Sequence, residues 1–468
     1  MYNITMKYER DGLLLPPRTE PQIDEELYSS LKVVQGDEKA IYEQLYLSSE
    51  RKIEVAETLH SGTNPSFLAE SVDEEALLAK QAALRQWKQE LLLHKDLDPD
   101  VQQLYRWKVN EHIANTNMLM ASSKGDMGNF HRWNKFIYGT PDEDIYRGAL
   151  DWVAHDAEVL INKPDQNQPT IDAAQRVLKM LANKRGYREI LSPDAEIFEK
   201  VRSDHMRPMG YYGLLMAGIT MPEGKINQEI GDPIVHAVLE NIGSQKTVQN
   251  AAGATWSVAE HAVLRPATYS LPAVRFQGLA LGHEVGTHEL ERTNGGRGPL
   301  ALLAEGLDRY ESGNEGRAVV REEVVYKNFD EFGKIVRWRD ILRRHIAISY
   351  ASGVGEDSPR SSSETYEFMN TIDVMYQTKL KPTEPVLAFE AAQKKTDDLI
   401  TRVLKGTDGT GGAYLKDKVY LEGHVSNWLQ AATHGAEVIS SGDLGKYDIA
   451  NDRHIMSLQK FNLLPVET

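Results

Sequence analysis

Two histidines five residues apart restrict this chain more than any other feature. They lie in LPAVRFQGLALGHEVGTHELERTNGG, residues 271–296, as His283-Glu284-Val285-Gly286-Thr287-His288. A regular helix turns about 100° per residue, so side chains five apart diverge by about 140°. Imidazoles placed that way cannot meet at one ion. Either the pattern is accidental on a surface helix, or the helix widens through a one-residue π-type bulge, a distortion that favours functional sites. Gly286 stands between the histidines and tolerates such a distortion. Ser270 is expected to cap this helix, Pro272 to occupy its first turn, and Gly295 with Gly296 to end it.

The residue types point to metal chemistry. In the HExxH pattern two histidines hold zinc and the glutamate between them acts as a general base. HExxxH keeps those donors with one residue added. Catalytic zinc usually takes three protein ligands and leaves a position for water. Downstream, GPLALLAEGLDRYESGNEGRAVVREEVVY (298–326) offers Glu305 and Glu315, either of which can face the histidines from a second helix. The residues alone leave that choice open. Glu284, next to a ligand without being one, is placed to take a proton from water and hand it to a leaving amine. Tyr310, Tyr420 and His424 are candidate donors to an oxyanion, and Glu311 and Glu322 are candidates to hold the imidazoles from behind.

Composition narrows the alternatives. Lys plus Arg is 53 against 69 Asp plus Glu, a net charge of −16, which argues against a general nucleic-acid binder. There is no cysteine, so a metal must be held by His, Asp or Glu. The opening MYNITMKYERDGLLLPP has too short an apolar run for a secretory signal, and no stretch reaches the ~18 apolar residues of a membrane span. The expectation is a soluble, cytoplasmic protein with no nucleic-acid or membrane partner.

Periodicity gives the organisation. Residues 1–20 read as an extended arm. Leu77, Leu78, Leu84, Trp87, Leu91 and Leu92 mark a helix packing on the body. GTPDEDIYRGALDWVAHDAEVL (139–160) reads as a helix capped by Thr140 or Asp142, and a second helix follows a polar connector, with Gly186 as its stop. Residues 209–270 suit strands and loops, and helices resume from 272 to 350. Residues 352–364 and GTDGTGG (406–412) read as loop and turn; the latter lacks the Lys-Ser/Thr of a phosphate loop. The expected division is residues 1–105, an N-terminal arm and helical accessory region, and residues 106–468, the catalytic domain. The expected fold class is α+β, helix-rich.

HEVGTH followed by GLDRYESGNEGRA resembles the microtubule-associated tyrosine carboxypeptidase-like family, whose bacterial members include flavohaemoglobin expression-modulating QEGLA-motif proteins. The family's (Q/E)EGLA segment appears here as Asn314-Glu315-Gly316-Arg317-Ala318, with Asn314 and Arg317 as departures. FHRWNKFIYGTP (130–141), TRVLKGTDGTGGAYLKDKVYLEGH (401–424) and SSGDLGKYDIANDRHIMSLQKFNLLP (440–465) are similar to further family stretches. The resemblance implies that Glu315, not Glu305, joins His283 and His288 as zinc ligand. It implies a metallocarboxypeptidase-like hydrolase acting on a peptide or protein C-terminus, with Glu284 as base. Such an enzyme needs a cation for the terminal carboxylate. Arg402 and Lys416 are the candidates in the matched stretch, with Tyr420, Tyr414 and Trp428 as candidate pocket aromatics. The competing reading is a non-enzymatic binding or regulatory protein stabilised by its metal. A hydrolase for a non-peptide amide is a third.

Overall fold

The structure, a computed structural model, describes residues 22–36, 43–70, 72–164, 166–206, 223–251, 256–325, 336–355 and 358–464. The proposed arm at 1–20 and the first part of the 209–270 segment lie outside them. The protein is a helix-rich α+β fold. No described helix is long and apolar enough to cross a membrane.

Helix Pro99–Ser123 is central. It buries Leu104, Tyr105, Val109, Ala114 and Met118 around its circumference, as a helix enclosed by others must. Helix Glu74–Leu91 packs on it through the expected stripe of Leu77, Leu84, Trp87 and Leu91, while Leu78 and Leu92 face outward. Helix Glu25–Gln35 is tied in by buried Asp24, whose carboxylate accepts from Tyr105 Oη (2.7 Å) and from the Ala301 and Leu302 amides (2.6 and 3.0 Å). A carboxylate at those free amides stabilises the short Leu302–Glu305 helix that follows. The first helices thus share one apolar core with the C-terminal ones.

Helix Glu143–Asn162 is capped by Asp142, which accepts from Ile145 N at 2.9 Å. Gly186 does not stop the next helix. That helix ends at Leu181, and the Gly186 amide instead donates to Arg147 O at 3.1 Å. Two distant motifs meet in the core. Asn134 donates to Ala413 O at 2.7 Å and accepts from Leu415 N at 3.1 Å, and Tyr138 Oη lies 3.1 Å from Tyr414 Oη.

A second, smaller core supports the histidine segment. β1 (Lys225–Asn227) pairs antiparallel with β5 (Ser270–Pro272). β2 (Thr247–Ala251) runs parallel to β4 (Ala262–Pro266), which pairs antiparallel with β3 (Ser257–Val258). Between them, Gln228–Asn241 is a helix, not the strand or loop expected there. Gly231 and Pro233 obscured its periodicity, but Ile234, Val235, Val238 and Leu239 bury one face against Trp256, Phe276, Leu281 and Val285. Ser270 likewise pairs with Asn227 in the sheet, so the following helix starts at Ala273.

Candidate metal centre

Residues Gln277–Glu289 form a π helix that leads into α-helix Leu290–Arg297. The widening expected as one bulge therefore extends over 13 residues. Its wide turns place residues five apart on one face, which is what HExxxH requires. Neighbouring side chains hold it open. Thr287 Oγ1 donates to Gly282 O at 2.9 Å, five residues back. Buried Arg321 donates to Gly286 O at 2.7 Å and also pairs with Asp443. A carbonyl of the widened segment thus has a charged donor.

The facing element is helix Glu311–Glu323. It approaches helix Lys418–His434 through Gly316 and Gly423; a β-carbon at Gly316 would overlap the Gly423 carbonyl. Gly316→Ala is therefore expected to cost about 1–3 kcal/mol of stability by overpacking. Chemical denaturation reads this directly, and an unchanged midpoint would disprove the close approach.

This packing brings His283, His288 and Glu315 together. One donor atom from each lies within 4.8 Å of the others. Glu315 Oε2 is 3.6 Å from Nε2 of both histidines, and the two rings stand 5.1 Å apart at 83°. Burial opposes charge on Glu315, but His288 and His283 outweigh it and hold the carboxyl well below its ordinary range. Glu315 Oε2 is nonetheless buried without a hydrogen-bond partner. An orphaned carboxylate oxygen between two imidazole nitrogens is a donor set that fits a zinc ion. No fourth donor joins the cluster among the described residues. Glu322 Oε2 stands 3.4 Å from His283 Nδ1, behind the ring, and Glu284 Oε1 is 3.9 Å from His283 Nε2.

Asn314 and Arg317, the two departures from the family motif, converge on one buried carboxylate. Asn314 donates to Glu291 Oε2 at 2.6 Å, and Arg317 to both Glu291 oxygens at 2.9 and 3.0 Å. They fasten the end of the histidine helix to the Glu315 helix.

His288 and Glu315 open onto a cleft of about 840 Å³, while His283 and Glu284 lie buried behind them. Its walls come from helix Glu25–Gln35 through Lys32 and Gln35, from the β3–β4 hairpin, and from Tyr310. Gly306, at φ 112°, leaves no room for a β-carbon against the Tyr310 ring and so sets that ring's position. Residues 249–465 match the family described as microtubule-associated tyrosine carboxypeptidase. The matched stretch holds the histidine segment and the Glu315 helix. No curated protein and no solved structure matches the chain.

The remaining candidate residues are dispersed. Lys416 lines the cleft, paired with Glu311 at 2.8 Å, so Glu311 serves Lys416 and not an imidazole. Glu305 also lines it, paired with Lys32 at 3.0 Å and outside the histidine cluster. Arg402 does not reach the cleft: it pairs with Asp417 and borders a separate cavity of about 450 Å³. Tyr420 is not part of the cleft wall; Arg344 lies over its ring at 5.6 Å. His424 is fully buried against Glu323 at 2.6 Å. Tyr414 and Trp428 are core residues. Of the oxyanion candidates, Tyr310 alone borders the cleft. The sequence reading passed over Arg292 and Lys446, which also line it. Arg292 carried a signal, since it follows His288 by four residues.

Proposed function

We propose that this protein is a zinc-dependent carboxypeptidase that removes the last residue of a peptide or protein. The observation that carries the reading is the His283–His288–Glu315 cluster, with its orphaned Glu315 oxygen, at the wall of a cleft. His283, His288 and Glu315 would hold the ion, and Glu322 fixes the His283 ring. Bound zinc supplies Lewis-acid polarisation and makes a water easier to deprotonate. Glu284 takes that water's proton and returns it to the departing amine. Tyr310, which borders the cleft, would donate to the developing oxyanion. The family's description points to tyrosine as the residue removed.

Three donors favour an open, catalytic site over the closed four-donor site of a structural metal. Elemental analysis combined with tyrosine release from N-acetyl-Ala-Ala-Tyr tests this. The expected result is about one zinc per chain with release in the wild type, and loss of both in His283→Ala and Glu315→Ala. Zinc without release would leave the metal-stabilised binding protein as the better reading.

A further inference from the structure

The cleft cations are not equivalent. Lys32 is neutralised by Glu305 at 3.0 Å and Glu260 at 3.4 Å, Lys108 by Glu111 at 3.0 Å, and Lys416 by Glu311 at 2.8 Å. Arg292 forms no hydrogen bond or ion pair among the described residues. Lys446 likewise has no ion pair among them, and its ammonium lies 5.7 Å from the Tyr310 ring centre. Its backbone is fixed on both sides, with the amide donating to Leu303 O (2.8 Å) and the carbonyl accepting from Leu307 N (3.1 Å).

We propose that Arg292 and Lys446 together bind the terminal carboxylate of the peptide substrate. This assignment rests on the carboxypeptidase reading above and identifies the part of the cleft that would make it act at chain ends. Three features support it. Arg292 follows His288 by four residues, just past the end of the π segment, and lines the same cleft as His288. One residue spans about 3.8 Å between Cα atoms, so a scissile bond near His288 leaves the terminal carboxylate within reach of that position.

The second feature is mutual repulsion. Burial depresses the Lys446 ammonium, Glu305 opposes that, and Arg292 adds to the depression. Glu291 and Glu289 also favour the charged ammonium, and an incoming carboxylate would add to that attraction and offset the repulsion from Arg292. Third, a guanidinium offers two parallel donors that match a carboxylate, and none of the Arg292 donors is engaged among the described residues.

The test uses the full chain and two probes, N-acetyl-Ala-Ala-Tyr and its C-terminal amide. Calorimetric binding to zinc-loaded Glu284→Gln is expected to favour the acid over the amide by about ten- to a hundred-fold, the worth of charge-assisted hydrogen bonds. Adding Arg292→Gln should close that gap, and adding Lys446→Met should narrow it. In the active enzyme, Arg292→Gln should raise KM for the acid with kcat nearly unchanged, and Arg292→Lys should restore part of the loss. Because Arg292 makes no hydrogen bond or ion pair among the described residues, thermal stability should not drop. A gap that survives both substitutions, or no gap at all, overturns the assignment. An Arg292-dependent gap without tyrosine release supports the carboxylate site and rejects hydrolysis. Release that is indifferent to Arg292 supports hydrolysis and rejects the site.

Discussion

Glu284→Gln is expected to retain the metal and lower kcat by about a thousand-fold, within the range for loss of a positioned general base. The substitution keeps shape and removes proton affinity. Glu284 lies outside the three-donor cluster, yet its carboxylate stands 3.9 Å from His283 Nε2. A ligand and a base are therefore distinguishable. Glu315→Ala should lose metal and turnover together, whereas Glu284→Gln should lose turnover alone, with KM little changed. Elemental analysis and steady-state kinetics on the same samples decide. A kcat within ten-fold of the wild type would remove Glu284 from the role of base.

Glu291→Ala is expected to cost about 3–5 kcal/mol of stability, because it strands a buried guanidinium. Neither Glu291 nor Arg317 exposes any of its side chain. Arg317 also donates to Tyr447 O at 2.9 Å, and Asn314 to Glu291 Oε2 at 2.6 Å, so one substitution unpairs several groups. The double variant Glu291→Leu with Arg317→Leu should recover much of the loss, since no charge then remains to be solvated. Urea unfolding of the three proteins measures this. A loss under about 1 kcal/mol for the single variant would show that water reaches Arg317. Glu291 lies three residues beyond His288, so the single variant should also bind metal less tightly.

What could be read from the sequence was local. His283, Glu284 and His288 announced themselves by spacing, and the need for a widened helix followed from geometry alone. Glu322 behind His283 was within reach because it lies on the same helix as Glu315. The length of the π segment was not legible, because it depends on Arg321 and Asp443, which meet it only in three dimensions. Arg402 looked available in the sequence, but Asp417, fifteen residues away, engages it in the fold. The helix over Gln228–Asn241 was concealed by Gly231 and Pro233, whose local cost is outweighed by burial in the small core.

The cleft is assembled from both sides of the family boundary. The proposed reactive groups all fall within residues 249–465, whereas Lys32, Gln35, Lys108 and Glu111 come from the chain before it. Part of the fit is therefore supplied from a stretch of sequence separate from the reactive groups. Changes in the early helices can alter which chain ends are admitted while the proton-transfer machinery stays as it is. Two proteins alike in their histidine and glutamate motifs need not share a substrate.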